Sequence, residues 1–493
     1  MVVFMGKSYE SSLQAMDSSY HARIALQTTA QGVRPVIPME SQEVDRVAPV
    51  GFNDQPFTLL YLNGWVMRAL GADAFSARLL PTAFAVGCVA LLVWFGSLLY
   101  TPTIGLAAGF ILILTREFIR FGARFQLDPA MIFFILLSFI AWWKRKPVWT
   151  GVAVGLGLWM KTPVVLLVFP SAVMASILSG TWSWKEFVKL VGAGVLALII
   201  GSGIWILAGN LGGWEVVSDY WRRQVLGTAL NGRGVVQATD YWMGFEVLRR
   251  TYYPWLPLLM VSIFLILKHQ RWKDPAVALC LSASVIVMFV ISMIRFKYFH
   301  YYLPMYPFLA LLALDSVRKR LSERAVGFSK FLIATAIVAP TLILAFPIQL
   351  SPEMFPSLRR FNPIIQSYGK CRDKVLFVNG FQAYGGEQEY LAEVQFYTNR
   401  KVVGTLCGEA EKKVRDFNPE WIIVSGENKD KCLSESLRAP YSVTYQFGNQ
   451  YLLSRIMDPK LVTDLTPLAR DLKAPLDCEK VTYTKSPFFK DAL

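Results

Sequence analysis

The sequence predicts a polytopic α-helical membrane protein with a small α/β domain at its C-terminal end. Three observations carry this. Of its 493 residues 54% are hydrophobic and only 17% charged, with a mean hydropathy of +0.39, whereas a soluble domain carries about 25% charged residues. Apolar stretches at or near the roughly 20 residues that span a bilayer recur up to about residue 350. From about Ser351 the apolar runs shorten and charge rises.

In chain order the apolar stretches are Pro81–Tyr100, Thr103–Thr115, Pro129–Trp143, Val148–Met160, Pro163–Leu178, Leu190–Leu207, Trp255–Leu267, Pro275–Ile294, Leu303–Leu314 and Phe331–Phe346. Some are short and draw on their flanks to cross. Lys144, Arg145 and Lys146, then Lys185 and Lys189, then Lys268, Arg271 and Lys273, then Arg318, Lys319, Arg320, Arg324 and Lys330 fall on one side if the spans alternate. By the positive-inside rule that side is the cytoplasm. The other side receives residues 1–80, Arg116–Asp128, Gly209–Pro254, Arg295–Tyr302 and everything after about Ser351. This divides the chain into a first extracytoplasmic loop (1–80), a multi-span region (81–350) and an extracytoplasmic α/β domain (351–493). An inward first span needs an earlier helix to export residues 1–80. The opening "MVVFMGK" is too short for one and lacks the features of a signal peptide, so the expectation is a further helix upstream of Met1.

In the C-terminal part, "KVLFVNG" (374–380), "EVQFYTN" (393–399), "EWIIVSG" (420–426) and "YQFGNQYLLSR" (445–455) read as strands, the last as a hairpin about Gly-Asn, and "GEAEKKVRDF" (408–417) as a helix. Cys371, Cys407, Cys432 and Cys478 lie here, an even number that in an oxidising compartment allows two disulfides in three pairings. Cys88 and Cys280 sit in apolar spans as packing residues.

The chemistry gathers on the outer side. Arg116, Arg120 and Arg124 are spaced by four, and Asp128 follows by four more, so a continuing helix would place them on one broad face. Asp128 followed by Pro129 also reads as an N-cap pair opening the next helix. Such a carboxylate can still face a ligand. Arg222, Arg223, Arg233, Arg249, Arg250, Arg295 and Lys297 add basic charge to the side where few basic residues belong. Snorkelling to headgroups is one account of them; a lipid phosphate held by guanidinium forks is the other. His21 and His300 are the outward histidines, too few for a histidine-rich metal site. No motif requires a cofactor, although carboxylates can recruit a divalent ion. Tyr301 and Tyr302 read as an interfacial aromatic belt.

These stretches, in this order, resemble the GT-C superfamily of polyprenyl-phosphate-sugar glycosyltransferases, nearest the lipid A aminoarabinose transferase and the protein O-mannosyltransferases. "MDSSYHARIALQ" (16–27) resembles the family's acidic first outer loop, and "NDQPFTLLYLNGWVMRALG" (53–71) the proline-containing stretch before an amphipathic helix. "SARLLPTAF" (76–84) resembles the start of the second family helix. "ARFQLDPAMIFF" (123–134) resembles the second acidic loop and "GLGLWMKTPV" (155–164) the lysine-containing turn. "YWRRQ" (220–224) and "KYFHYYLPMYPFLALLAL" (297–314) resemble the later outer loop and its helix start. Asp17-Ser18 departs from the Asp-Glu pair of many relatives. Asp54-Gln55-Pro56-Phe57 replaces a lysine before paired prolines, so no lysine stands there to meet a lipid phosphate.

The resemblance implies transfer of a sugar from a polyprenyl-phosphate donor to lipid A or lipopolysaccharide, another glycan or a protein, at the outer face of the inner membrane. It casts Asp17 as the base, Asp128 as a second acid that positions the sugar or holds Asp17's surroundings, and Arg222, Arg223, Lys297 and Arg124 as phosphate ligands. Lys161 and Asp54 stand behind them. The implied partners are the donor, its acceptor and membrane lipids, with no nucleic acid. A polytopic lipid or sugar transporter or flippase is the alternative. It calls for polar residues within the spans, which are mostly clean. A membrane scaffold that binds a partner has no need of two acidic loop mouths beside phosphate-type cations.

Overall fold

The structure is a computed structural model that describes residues 18–30, 32–37, 52, 54–161, 163–231, 241–323, 327, 330, 358–370, 373–379, 393–394, 396–398, 400–425, 431–447 and 449–455. These fall into two compact units, one within residues 50–59 and 80–350, the other within residues 7–49, 60–79 and 351–493.

The first unit is helical. Every apolar stretch read from the sequence between Pro81 and Leu314 lies in helix or 3₁₀ helix over most of its length, and Phe331–Phe346 lies outside the described residues. Among the described residues three helices are long and apolar enough to cross a membrane: Ala74–Leu99, Trp184–Gly212 and Pro275–Met293. Local chemistry sets their starts. Ser183 accepts from Glu186 N at 3.3 Å, the first half of a capping box. Asp274 accepts from Ala276 N at 3.0 Å ahead of Pro275, a cap followed by proline in the first turn. At the centre, helix Tyr306–Ala313 is buried along its whole length, with helices Pro102–Ile113, Leu256–Lys268 and Pro275–Met293 around it. Helix Asp128–Trp143 packs on Pro147–Leu158, which packs on Trp184–Gly212. The outward face of that last helix is apolar, with Val191, Val195, Leu198, Ile199 and Ile206 exposed.

The second unit contains helix Ser18–Thr28 and most of helix Thr58–Leu70. They touch at Gly64, where a Cβ would run into the Ala25 carbonyl. Arg68 donates to Leu26 O at 3.0 Å and Thr29 Oγ1 at 2.8 Å, ending the first helix as a basic group near the last carbonyls does. The same unit holds a five-stranded sheet of β1 (Lys374–Asn379), β2 (Lys401–Leu406), β3 (Trp421–Ser425), β4 (Ser442–Phe447) and β5 (Gln450–Ser454) in the order β2-β1-β3-β5-β4. β1 runs parallel to β2 and β3, while β5 is antiparallel to β3 and β4. Phe361, Ile364 and Ile365 of helix Leu358–Tyr368 cover one face, packing with Val375, Phe377 and Trp421. Ala410 and Val414 of helix Ala410–Phe417 cover the other with Leu376 and Ile422.

The pairing of β4 and β5, with Phe447 opposite Gln450, is the expected hairpin. "EVQFYTN" is not a strand: its described residues are helical, with Thr398 Oγ1 donating to Val394 O at 2.6 Å one turn back. The strand falls instead on Lys401–Leu406, whose central Gly404 hides its strand signal. Cys407 and Cys432 form a disulfide across a sequence separation of 25. Cys371 and Cys478 lie outside the described residues. Cys88 and Cys280 are buried free thiols.

Candidate active site

The sequence places Asp128 at the N-cap, but Leu127 takes that position and Asp128 opens helix Asp128–Trp143 with Pro129. Its carboxylate is thereby released from capping and meets Lys161, with Oδ2 2.7 Å from Nζ and side chains 1% and 8% exposed. Lys161 lies just past helix Pro147–Leu158, held there by Lys161 N donating to Gly157 O at 3.4 Å. This is a buried ion pair between neighbouring helices, and close pairing is what offsets the loss of water from both charges.

Aromatic rings frame the pair. Lys161 Nζ is 5.9 Å from the Tyr301 ring centre. His300 stacks on Phe121 at 4.7 Å and on Tyr298 at 5.6 Å, and meets Tyr301 edge-on at 4.8 Å. The Arg124 guanidinium lies 5.9 Å from the same Phe121 ring and is buried. So Arg124, Asp128, Lys161, His300 and Tyr301 share one neighbourhood.

The arginine row does not form one helical face. Thr115 turns extended after helix Pro102–Ile113, a new helix Arg116–Gly122 starts, and the chain leaves it at Ala123. Arg116 is therefore exposed, Arg120 pairs with Glu117 at 3.6 Å, and Arg124 alone is buried.

A second neighbourhood forms around Arg222 and Arg223. Both lie in the π-helical segment Tyr220–Asn231 and both bond Asp219, Arg222 Nη2 at 3.4 Å from Oδ1 and Arg223 on Oδ2. The Arg222 side chain is 80% exposed. Gln224 donates to Asp54, which brings that residue to the same segment. Arg295 N and Phe296 N donate to Ala229 O at 3.3 Å and Thr228 O at 3.1 Å, so the segment runs beside the strip that leads to His300. Lys297 lies on that strip, buried, its Nζ donating to Ser292 O at 2.6 Å and Ile294 O at 2.9 Å. It closes the C-terminal end of helix Pro275–Met293, a favourable place for a cation.

Arg249 and Arg250 both bond Glu246 and hold its carboxyl down at about 2 through their hydrogen bonds, Arg249's first. Tyr302 is fully buried, its hydroxyl 3.1 Å from Ser292 Oγ, so it is a core residue and no part of a surface belt. Asp17 lies outside the described residues; helix Ser18–Thr28 begins at the next residue. Among the described residues no three His, Cys, Asp or Glu side chains converge as metal ligands. Two participants went unseen in the sequence. Asp219 was legible in "DYWRR", where helical spacing of three and four pairs it with both arginines. The Phe121–His300 stack joins distant segments and has no sequence signal.

Residues 54–206 match the family described as dolichyl-phosphate-mannose-protein mannosyltransferase, a stretch that holds Asp54, Arg124, Asp128 and Lys161. No curated protein matches at the sequence level. ArnT from Cupriavidus metallidurans bound to undecaprenyl phosphate matches with a TM-score of 0.65 and 14% identity, over 92% of this chain and 96% of that one. The apo state of the same ArnT matches with a TM-score of 0.59 and 14% identity, over 94% and 97%. The chain thus has the fold of ArnT, and its residues 54–206 are similar to the dolichyl-phosphate-mannose-protein mannosyltransferase family.

Proposed function

We propose that this protein is a multi-pass membrane glycosyltransferase of the plasma (inner) membrane. It transfers a sugar from a polyprenyl-phosphate donor to a lipid A, glycan or protein acceptor at the extracytoplasmic face. The observation that carries the reading is the fold shared over 92% of the chain with a protein whose structure holds undecaprenyl phosphate. The apolar, exposed face of helix Trp184–Gly212 supports the membrane part.

In the reaction the acceptor oxygen attacks the anomeric carbon while the bond to the phosphate oxygen breaks, and the phosphate leaves with the electron pair. The leaving group is already an anion and needs fixed positive charge more than a proton. Arg222, exposed and bonded to Asp219 through one guanidinium nitrogen, gives that charge from the water side. Arg223 shares Asp219 with it, while Arg124 adds charge from the Asp128 neighbourhood and Lys297 from the end of its helix. Where the acceptor is a hydroxyl, Asp17 takes its proton; where it is a phosphate, Asp17 orients it. Asp128, fixed by Lys161, positions the sugar.

The test is transfer from a radiolabelled polyprenyl-phosphate sugar by the purified full chain in lipid nanodiscs, with lipid A and glycoprotein acceptors compared. Labelled acceptor is expected. Asp17→Asn keeps size and capping capacity, and should fold normally yet lose about a hundredfold in rate, the scale of a positioned base. Parent-level transfer by that variant would remove Asp17 from the mechanism. No transfer to any acceptor, with the donor moved across the bilayer instead, would replace the enzyme with a transporter.

A further inference from the structure

A cavity of about 370 Å³ opens at the end of the helical unit that carries the basic loops. It lies between the last turn of helix Asp128–Trp143, the end of helix Val168–Leu178 with the turn that follows, and the first turns of helix Pro275–Met293. Trp142 and Trp143 give it apolar walls, and Arg145, Ser176, Ser179 and Thr181 give it a polar side. None of these residues belongs to the site described above.

The charge there is positive. Glu186 lies between Arg145 at 3.0 Å and Lys189 at 2.9 Å, so the three carry a net single positive charge. Lys144 and Lys146 flank Arg145 in the sequence. Asp274 caps the neighbouring helix and sees Arg318 at 3.5 Å. The Arg145 side chain is 62% exposed although Glu186 takes one of its nitrogens. A guanidinium has five N–H donors, enough for a second anion in a bidentate fork. On the same wall Ser179 Oγ donates to Ala175 O at 2.8 Å and lies 3.0 Å from Thr181 Oγ1, whose own contact to Ser176 O is long at 3.5 Å, so the Thr181 hydroxyl can turn its hydrogen to an anion.

We propose that this cavity binds the phosphate headgroup of an anionic phospholipid. The phosphate meets Arg145 and the Thr181 hydroxyl, and the first part of an acyl chain lies against the tryptophans. A free phosphate would use only the polar side, whereas an amphiphile uses both. The cavity also sits where the helices end, at headgroup depth, and basic pockets between helices on the cytoplasmic side are suited to anionic lipids. This rests on the membrane reading of the chain and not on sugar transfer, so either can fail without the other.

The experiment is native mass spectrometry of the full chain released from nanodiscs of phosphatidylglycerol and phosphatidylcholine in equal parts. Phosphatidylglycerol should be retained over phosphatidylcholine. Arg145→Asn removes the fork while suiting the left-handed backbone at this position, where φ is 59°. It should lower retention about tenfold, the scale of a lost charge-assisted hydrogen bond. Ser179→Leu fills the cavity without changing charge and should do the same, which keeps the test open if one variant folds poorly. Equal retention of the two lipids, or parent-level retention by both variants, overturns the proposal. So does full displacement of the lipid by millimolar inorganic phosphate, which would make the site one for the free anion.

Discussion

Asp128 is 99% removed from solvent at a helix start, and Lys161 2.7 Å away offsets the loss of water from its charge. Removing one partner of such a pair leaves an uncompensated buried charge, at a cost of about 3–5 kcal/mol. Lys161→Met should therefore lower the thermal unfolding midpoint sharply in detergent or nanodiscs. Adding Asp128→Asn to it removes the stranded charge and should recover much of that loss, the non-additivity expected of direct partners. If Asp128 also positions the sugar, the double variant stays inactive while stable. A double variant as unstable as the sum of its single changes would mean that the two charges do not act as a pair. Lys161 entered the sequence reading behind the acids through the family resemblance, and a lysine ending an apolar run is equally an ordinary helix end; its pairing with Asp128 comes from the fold. The burial of Arg124 was not legible. It depends on Thr115 breaking the helix, and a threonine after an apolar run does not announce a break.

Helices in apolar surroundings approach closely where side chains are small, and glycines place that approach here. Helix Pro147–Leu158 presents Gly151 and Gly155 to helix Trp184–Gly212. A Cβ at Gly151 would lie 2.6 Å from Ala193 O, and one at Gly155 2.7 Å from Ile200 Cβ. Trp159 Nε1 then donates to Ile200 O at 2.7 Å, fixing the register. Gly155→Leu should push the helices apart and cost about 1–3 kcal/mol, the range for overpacking, read as a lowered unfolding midpoint. Gly192→Ala is the control, because its added methyl meets open space and alanine is the better helix former. An unchanged midpoint for Gly155→Leu would show that the two helices do not rely on this contact. At this scale the sequence was most readable where one period dominates. Long apolar runs gave helices, and the hairpin reading of "YQFGNQYLLSR" gave the paired strands β4 and β5. "EVQFYTN" failed because a seven-residue mix of apolar and polar groups satisfies both periods, and only the neighbouring core selects the helical one. Strand Lys401–Leu406 was hidden by its glycine.

Across the whole helical unit the ion pairs and polar side-chain contacts gather at two ends. Arg145 meets Glu186, Arg271 meets Asp315 at 2.6 Å and Arg318 meets Asp274, all among the basic loops. Asp128 meets Lys161, Gln224 meets Asp54 and Lys297 meets Ser292 at the other set of loops. Helix Pro275–Met293 joins the two sets, from Asp274 to Ser292. Its 19 residues span about 28 Å at 1.5 Å each, close to the roughly 30 Å of bilayer hydrocarbon. Helix Trp184–Gly212 starts beside Arg145, and its 29 residues reach about 44 Å, so Gly212 clears the far surface. By the positive-inside rule, the excess of lysine and arginine leads us to expect the first end in the cytoplasm. A cysteine at Gly212, in a chain with Cys88, Cys280, Cys371 and Cys478 replaced by serine and the Cys407–Cys432 disulfide kept, should then react with a membrane-impermeant maleimide added from outside. A cysteine at Lys146 should react only after the membrane is opened. The opposite pattern would invert the orientation and put Arg222 and Asp128 in the cytoplasm, where a donor and acceptor on the outer leaflet could not reach them.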